Sequence, residues 1–442
     1  MITQEQFQRL ADQVQAGLPA GDDATLWLRA EDSDFVRFNR GLVRQPGTVD
    51  QADLRLRRIR GARHASLELS LSGDPGVDLA RVEEAMARLG ALVDRVPEDP
   101  HLLWAVDGRS TCFEAPGAPA DALSVTDEIL GMAQGLDMVG ILVSGRVLSG
   151  FASSRGQRCW DQRHSLLFDW CLYHREDKAV KSTLGSTGWD PAELATAMDA
   201  ARSRLRLLDR PVKQLQPGRY RCVLDPAALG EIVDLVCWGG FSERAHRTRN
   251  TPLLRMLTEG EVLSPAVSLH EDNLRGLGPA FSGDGFHRPD SVPLIEEGRL
   301  AGTLVSPRSA REYGIPTTGA AEDESPSSLV MAPGELSDRA LLDRLGTGLY
   351  ISNLWYLNWS DRAAGRMTGM TRFATLWVED GEIVAPTEVM RFDDSLFHVL
   401  GSGLEGLTDS LALRPSTSTY ERRATGSQRL PGALVDGMTF TL

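Results

Sequence analysis

Apolar positions recur at helical spacing at the start of the chain, where Phe7, Leu10, Ala11 and Val14 mark one face of a helix over residues 4–16. From residue 24 to 72 the period shortens to two. Leu54 and Leu56 alternate with Arg55 and Arg57, and Leu67, Leu69 and Leu71 with Glu68 and Ser70, with Gly61 between the runs. This predicts antiparallel strands with one wet face. Helical spacing returns over 77–95, and "FEAPGAPADALS" reads as a connector. A helix near 123–135, strands near 138–151 and 164–176, and a helix near 190–208 follow.

Three prolines and a glycine in "LDRPVKQLQPGRYRCVLDP" (208–226) interrupt the pattern and predict a domain boundary. Beyond it the texture changes to short strands and glycine turns. "VPLIEEGRLAGTLV" (292–305) and "ATLWVEDGEIVAPT" (374–387) echo each other as strand, acidic Gly turn, strand, and predict two equivalent hairpins. The class is α+β with two domains: a mixed helix and antiparallel-sheet domain over 1–213, and a β-rich domain with few helices over 214–442.

One helix stands out in the second half. In "LDPAALGEIVDLVCWGGF", Asp225 is placed to cap the N-terminus and Pro226 to occupy the first turn, with Gly239-Gly240 as the stop. Leu229, Ile232, Val233 and Val236 form the apolar stripe; Glu231, Asp234 and Cys237 are the polar remainder. Asp234 and Cys237 stand one turn apart, but a core cysteine beside a solvated aspartate is the commoner arrangement, so the helix reads as structural. Further on, "LYISNLWYLNWS" read at period two puts Leu349, Ile351, Trp355, Leu357 and Trp359 on one face, predicted to be sheet core. The other face carries Tyr350, Ser352, Leu354, Tyr356, Asn358 and Ser360, suited to a partly wet wall or contact. Asp361 and Arg362 open a loop that "TGMTR" is expected to close.

A net charge of −14 argues against nucleic acid or an anionic membrane as partner, since both require a positive field. The first residues lack the basic and apolar segments of a signal peptide, and no run is long enough for a membrane helix. Five cysteines without a paired spacing point to reduced thiols and a cytoplasmic location. No Gly-x-Ser-x-Gly elbow occurs, and the Gly-rich "GLGPAFSGDG" (276–285) lacks the flanking context of a phosphate loop. The eight histidines form no helical metal-binding pair; His246, His270 and His287 share the second half but have only that in common. "SERAHRTRN" (242–250) gathers Arg244, His246, Arg247 and Arg249 in an otherwise acidic chain, suited either to a peptide carboxylate or to a solvated loop.

The ordered pieces "RCVLDPAALGEIVDLV", "NTPLLRMLTEGEVLSPAVSLHED", "FSGDGFHRPDSVPLIEEGRLAGTLVSPRSAREYGIPTTG" and "GLYISNLWYLNWSDRAAGRMTGMTRFATLWVEDGEIVAP" resemble the TldD/PmbA (modulator of DNA gyrase) family across roughly residues 217–400. The strands "FVRFNRGLVRQPGTVDQADLRLRRIRGARHASL" fit that family's first domain more loosely. The resemblance implies two related subunits closed around a chamber in which peptides or unfolded segments are cleaved. It implies zinc in the catalytic subunit, held by His-Glu-x-x-x-His on the helix after the "RCVLDP" strand and by a cysteine near the C-terminus. Here Asp234, Leu235 and Gly239 stand at the motif positions, and Cys237 is the last cysteine.

The expectation is therefore a metal-free PmbA/TldE-like subunit without a catalytic residue or cofactor of its own. Zinc would belong to a TldD-like partner, and a homodimer is the alternative assembly. Candidate contacts to substrate or partner are Arg244, His246, Arg247, Arg249, Tyr356, Asp361 and Arg372. Two further readings stand beside it: a homodimeric peptide-binding protein without a proteolytic role, and a stand-alone hydrolase using residues such as Cys237 and His246.

Overall fold

A computed structural model describes residues 2–175 and 178–441. Its first sheet runs in the order 63–70, 42–60, 22–39, 137–153, 158–175, 111–114, with 178–186 paired onto 158–175. The long alternating runs form these strands, and Gly61, at φ +60°, turns the 42–60 strand into the next. The helices Gln4–Ala16 and Pro75–Leu92 bury Phe7, Leu10, Val82 and Leu89 against Leu26, Leu54 and Leu148. Thr3 and Asp74 cap their N-termini. Two strands escaped the pattern. Thr111–Glu114 takes the first two residues of the supposed connector, and Lys178–Ser186 is too mixed in polarity to read.

Two sheets lie beyond residue 217. One has the order 299–300, 291–296, 269–272, 328–331, 427–430, 412–415. In the other, 348–361, 218–224, 433–440, 391–395 and 366–379 follow in turn, and 348–361 also pairs with 366–379, so the strands close into a ring. The two echoing hairpins both form. Glu297-Gly298 (φ +46° and +77°) and Asp380-Gly381 (+48° and +81°) place both turn residues in the left-handed region, but the hairpins belong to different sheets. The Gly-rich loop 276–285 docks on the first sheet. Gln157 donates to the Gly285 carbonyl at 2.7 Å, and a Cβ on Gly285 would lie 2.4 Å from the Phe151 ring.

The aromatic hairpin departs from its period-two expectation. Leu349 and Ile351 are buried as predicted, and Leu357 and Trp359 pack partly against the core, but Trp355 is 47% exposed while Leu354 is 4% exposed. Register and cover together explain it. Between the Ile351–Thr375 and Asn353–Arg372 pairs the second strand holds one extra residue; between the Trp355–Met370 and Asn358–Thr368 pairs the first strand does. Phe373 (φ +59°) and Tyr356 (φ +57°) lie in these intervals. The extra residue on the strand Gly348–Asp361, Tyr356, follows Trp355 and moves Leu357 and Trp359 onto the face of Leu354; the strand is covered on both faces through Leu354, and Trp355 sits where the other face opens to solvent. "TGMTR" is also not a loop: residues 362–365 make the turn, and 368–372 lie within the strand Arg366–Glu379.

Glu324 ties down the basic segment. Its buried carboxylate accepts from Ser242 Oγ (2.6 Å), Arg244 N (2.9 Å) and Ser306 N (2.8 Å), at the N-termini of the helices Glu243–Arg247 and Pro307–Tyr313. Burial opposes its ionisation, but these hydrogen bonds outweigh that and hold its pKa below the ordinary glutamate value. A carboxylate depressed on folding stabilises the protein above its unfolded pKa, and that stability is lost as pH falls through the folded value. Glu324→Gln is expected to cost about 1–2 kcal/mol at neutral pH and to flatten the acid limb of a denaturation series. An unchanged acid limb would remove this role.

Candidate functional site

A cleft of about 690 Å³ lies between the helix Pro226–Cys237, the helix Pro191–Leu207, the strand Lys178–Ser186 and the segment 412–418. The cleft helix forms for the reasons its sequence gives. Asp225 Oδ1 accepts from Ala227 N, Pro226 fills the first turn, and Leu229, Ile232, Val233 and Val236 are buried. Its polar residues are not simply solvated: Glu231, Asp234 and Cys237 all line the cleft.

Each cation in the cleft wall has carboxylate partners. Lys181 Nζ lies 2.8 and 2.6 Å from the Asp169 oxygens. Arg204 donates to Tyr350 Oη at 2.8 Å and stands 3.4 Å from Asp225, to which Tyr350 also donates. Burial first, and then the Asp225 charge, push the Tyr350 hydroxyl well above its ordinary pKa, so it stays a donor. Arg414 lies across the cleft helix, donating to Gln428 Oε1 (2.6 Å) and Glu231 (3.3 Å), with Asp234 at 3.8 Å. A Cβ on Gly230 would come within 1.5 Å of its guanidinium, so that glycine makes the approach possible. Gln428 Nε2 donates to Asp234 Oδ1 at 2.6 Å.

Burial raises the pKa of both Glu231 and Asp234, against the pull of Arg414. Their side chains remain 40% and 59% exposed, because the surface they face is the cleft interior. Cys237 is pushed up further, by burial and then by Asp234 and Glu271, and is held as a thiol. His246 Nε2 donates to the Gly240 carbonyl at 2.6 Å, and burial keeps the imidazole below its ordinary pKa.

The motif positions do not suit zinc. Leu235 is buried in the core and Gly239 lies beyond the helix end at φ +81°. Asp234 is engaged by an amide and a guanidinium, which is the wrong company for a metal ligand. Among the described residues no group of three His, Cys, Asp or Glu side chains could hold a metal ion.

None of the seven contact residues taken from the sequence lines this cleft. Arg244, His246 and Arg247 lie on the helix Glu243–Arg247, where Arg247 pairs with Glu243 (2.7 Å), and Arg249 follows, exposed, at φ +56°. Tyr356 is 76% exposed beside Trp355, whose ring carries the Arg372 guanidinium at 4.3 Å. Asp361 accepts from Ala364 N in the hairpin turn. The residues the sequence passed over are Arg204, Asn353, Arg414 and Gln428. Only the Glu231/Asp234/Cys237 stripe signalled the cleft, and it looks the same as a solvated helix face.

A family profile described as the PmbA/TldA metallopeptidase C-terminal domain matches residues 217–442. The fold is similar to that of TldE from Thermococcus kodakarensis, at 13% identity and TM-score 0.78, covering 99% of this chain and 100% of that one. It is also similar to two proteins described as candidate modulators of DNA gyrase. For the one from Thermotoga maritima the values are 14% identity, TM-score 0.74 and 99% of each chain. For the one from Bacteroides thetaiotaomicron they are 16%, 0.70 and 100% of each chain. No match is found among curated protein sequences. Among the described residues no helix is long and apolar enough to cross a membrane.

Proposed function

The chain belongs to the PmbA/TldD metallopeptidase family, and from that premise we propose that it is a TldE-type, metal-free subunit that pairs with a TldD-like His-Glu-x-x-x-His subunit and helps hold peptide substrate. The observation that carries the reading is the donor set. Where the motif would stand, Leu235 is core, Gly239 is past the helix end, and Asp234 is bound to Gln428 and faces Arg414. Zinc then belongs to the partner. With five free cysteines, we place the protein in the cytoplasm. The division into domains at residues 213 and 214 is part of the same proposal; strands of the first sheet end at Ser186 and those of the other two begin at Gly218.

A stand-alone Cys237 hydrolase fits poorly, since the nucleophile would have to be a thiolate and its surroundings favour the thiol. The test is purification alone and with a cognate His-Glu-x-x-x-His subunit. The expected result is a stoichiometric complex in which zinc and peptide hydrolysis depend on the partner. Stoichiometric zinc with hydrolysis by the lone chain would sink the proposal. Saturable peptide binding without any complex would favour the homodimeric binding protein instead.

A further inference from the structure

We propose that the cleft beside the helix Pro226–Cys237 is a subsite for a cationic group of a peptide, either a lysine or arginine side chain or a free N-terminal amine. This deepens the peptide-holding reading and rests on it.

Charge balance is the first argument. Lys181 is taken by Asp169 and Arg204 by Asp225, so neither is available to an anionic ligand. Arg414 is the cation paired with Glu231 and Asp234, one guanidinium against two carboxylates, and the Lys181 charge that also reaches Glu231 is matched by Asp169. Arg414 is also the buried member of the three, 21% exposed against 40% and 59%, so the carboxylates are what a ligand meets. An ammonium or guanidinium placed there would complete the pairing and donate charge-assisted hydrogen bonds to both carboxylates.

The second argument is independent of these acids. Asn353 lines the same cleft and is only 8% exposed. Its Oδ1 accepts from Ser352 Oγ at 2.9 Å, while its Nδ2 has no hydrogen-bond partner among the described residues. The Ser427 hydroxyl lines the cleft too, buried and equally without a partner. The buried Ser427 hydroxyl left open is costly unless something completes it, and the Asn353 amide donor, which is not itself sealed from solvent, stands open beside it. A peptide carbonyl next to the cationic group is the acceptor that Asn353 calls for, and Ser427 offers a second polar contact. An acidic ligand would face two carboxylates whose nearby cations, Arg414 and Lys181, are already engaged.

The experiment measures binding of labelled peptides to the full chain by fluorescence anisotropy. The set is a blocked neutral peptide, the same peptide with one internal lysine, with one internal glutamate, and with a free N-terminus in place of the block. The lysine peptide, the free-amine peptide or both are expected to bind about tenfold tighter than the neutral one, which also distinguishes the two sources of the cation. In a Glu231→Gln/Asp234→Asn variant the preference is expected to fall to within about twofold. Arg414→Gln, which frees both carboxylates, is expected to increase it, a direction that a merely structural role for Arg414 would not produce.

Equal binding of cationic and neutral peptides, or tighter binding of the glutamate peptide, overturns the proposal. If no peptide binds, Nα-acetyl-lysine amide and Nα-acetyl-alanine amide are titrated by NMR. Binding of the lysine compound alone keeps the cation site while the peptide-holding reading falls; binding of neither overturns both.

Discussion

Leu354→Ala is expected to destabilise the protein by about 3 kcal/mol, and its neighbour Trp355→Ala by less than about 1 kcal/mol. By size alone the order would be the reverse. Leu354 is 4% exposed within the largest apolar cluster, so truncation leaves a cavity that the closed ring of strands is poorly able to collapse. The Trp355 indole is 47% exposed, covered chiefly by Tyr356 and Arg372, and its loss surrenders a stacked cation rather than core volume. Urea denaturation of the two variants, with matched m-values, decides it. A Trp355→Ala cost equal to or above that of Leu354→Ala would show that Trp355, not Leu354, is the core residue of this stretch.

The second large effect belongs to Asp225, which performs two tasks with one carboxylate. Oδ1 caps the cleft helix through Ala227 N, and Oδ2 receives Tyr350 Oη and faces Arg204. Asp225→Ala removes the cap, worth about 1 kcal/mol, and leaves a buried phenol and a guanidinium without their acceptor. The total expected cost is about 3 kcal/mol, discounted for the partial exposure of Arg204. Asp225→Asn keeps a capping oxygen and loses the charge, so it should fall between the wild type and Asp225→Ala. Equal stability of all three proteins would mean that water replaces the carboxylate fully. Because Arg204 and Asp225 also line the cleft, the alanine variant should lower peptide affinity as well.

How far the sequence could be read depended on how local each signal was. The stretch 24–72 formed strands, and its alternation is matched by burial at Leu54 and Leu56, where two helices cover that face of the sheet, while residues 42–51 of the same strand include no buried residue. The Asp225-Pro226 start and Gly239-Gly240 end of the cleft helix were legible because capping acts within a few residues. The aromatic strand failed at Trp355 because both its faces are covered up to Leu354 and open beyond it, and past Tyr356 an added residue reverses the faces; nothing in "LYISNLWYLNWS" marks either point. The basic cluster was visible as composition, but the Glu324 that fixes it lies 80 residues away and reads as an ordinary surface acid.

The sequence by itself determined the α+β class, the five described helices of eleven residues or more, most of the long strands, the two acidic Gly turns and the resemblance that the family profile bears out. It did so because periodicity, caps and turn chemistry are properties of neighbouring residues. Only the tertiary structure decided that the polar stripe of the cleft helix faces a cavity instead of open solvent. Arg414 reaches Glu231 across 183 residues, and Arg204 reaches Tyr350 across 146. Such contacts exist only once the chain has closed loops of that length. A carboxylate on a helix surface carries no mark of whether a guanidinium, a peptide or water will face it.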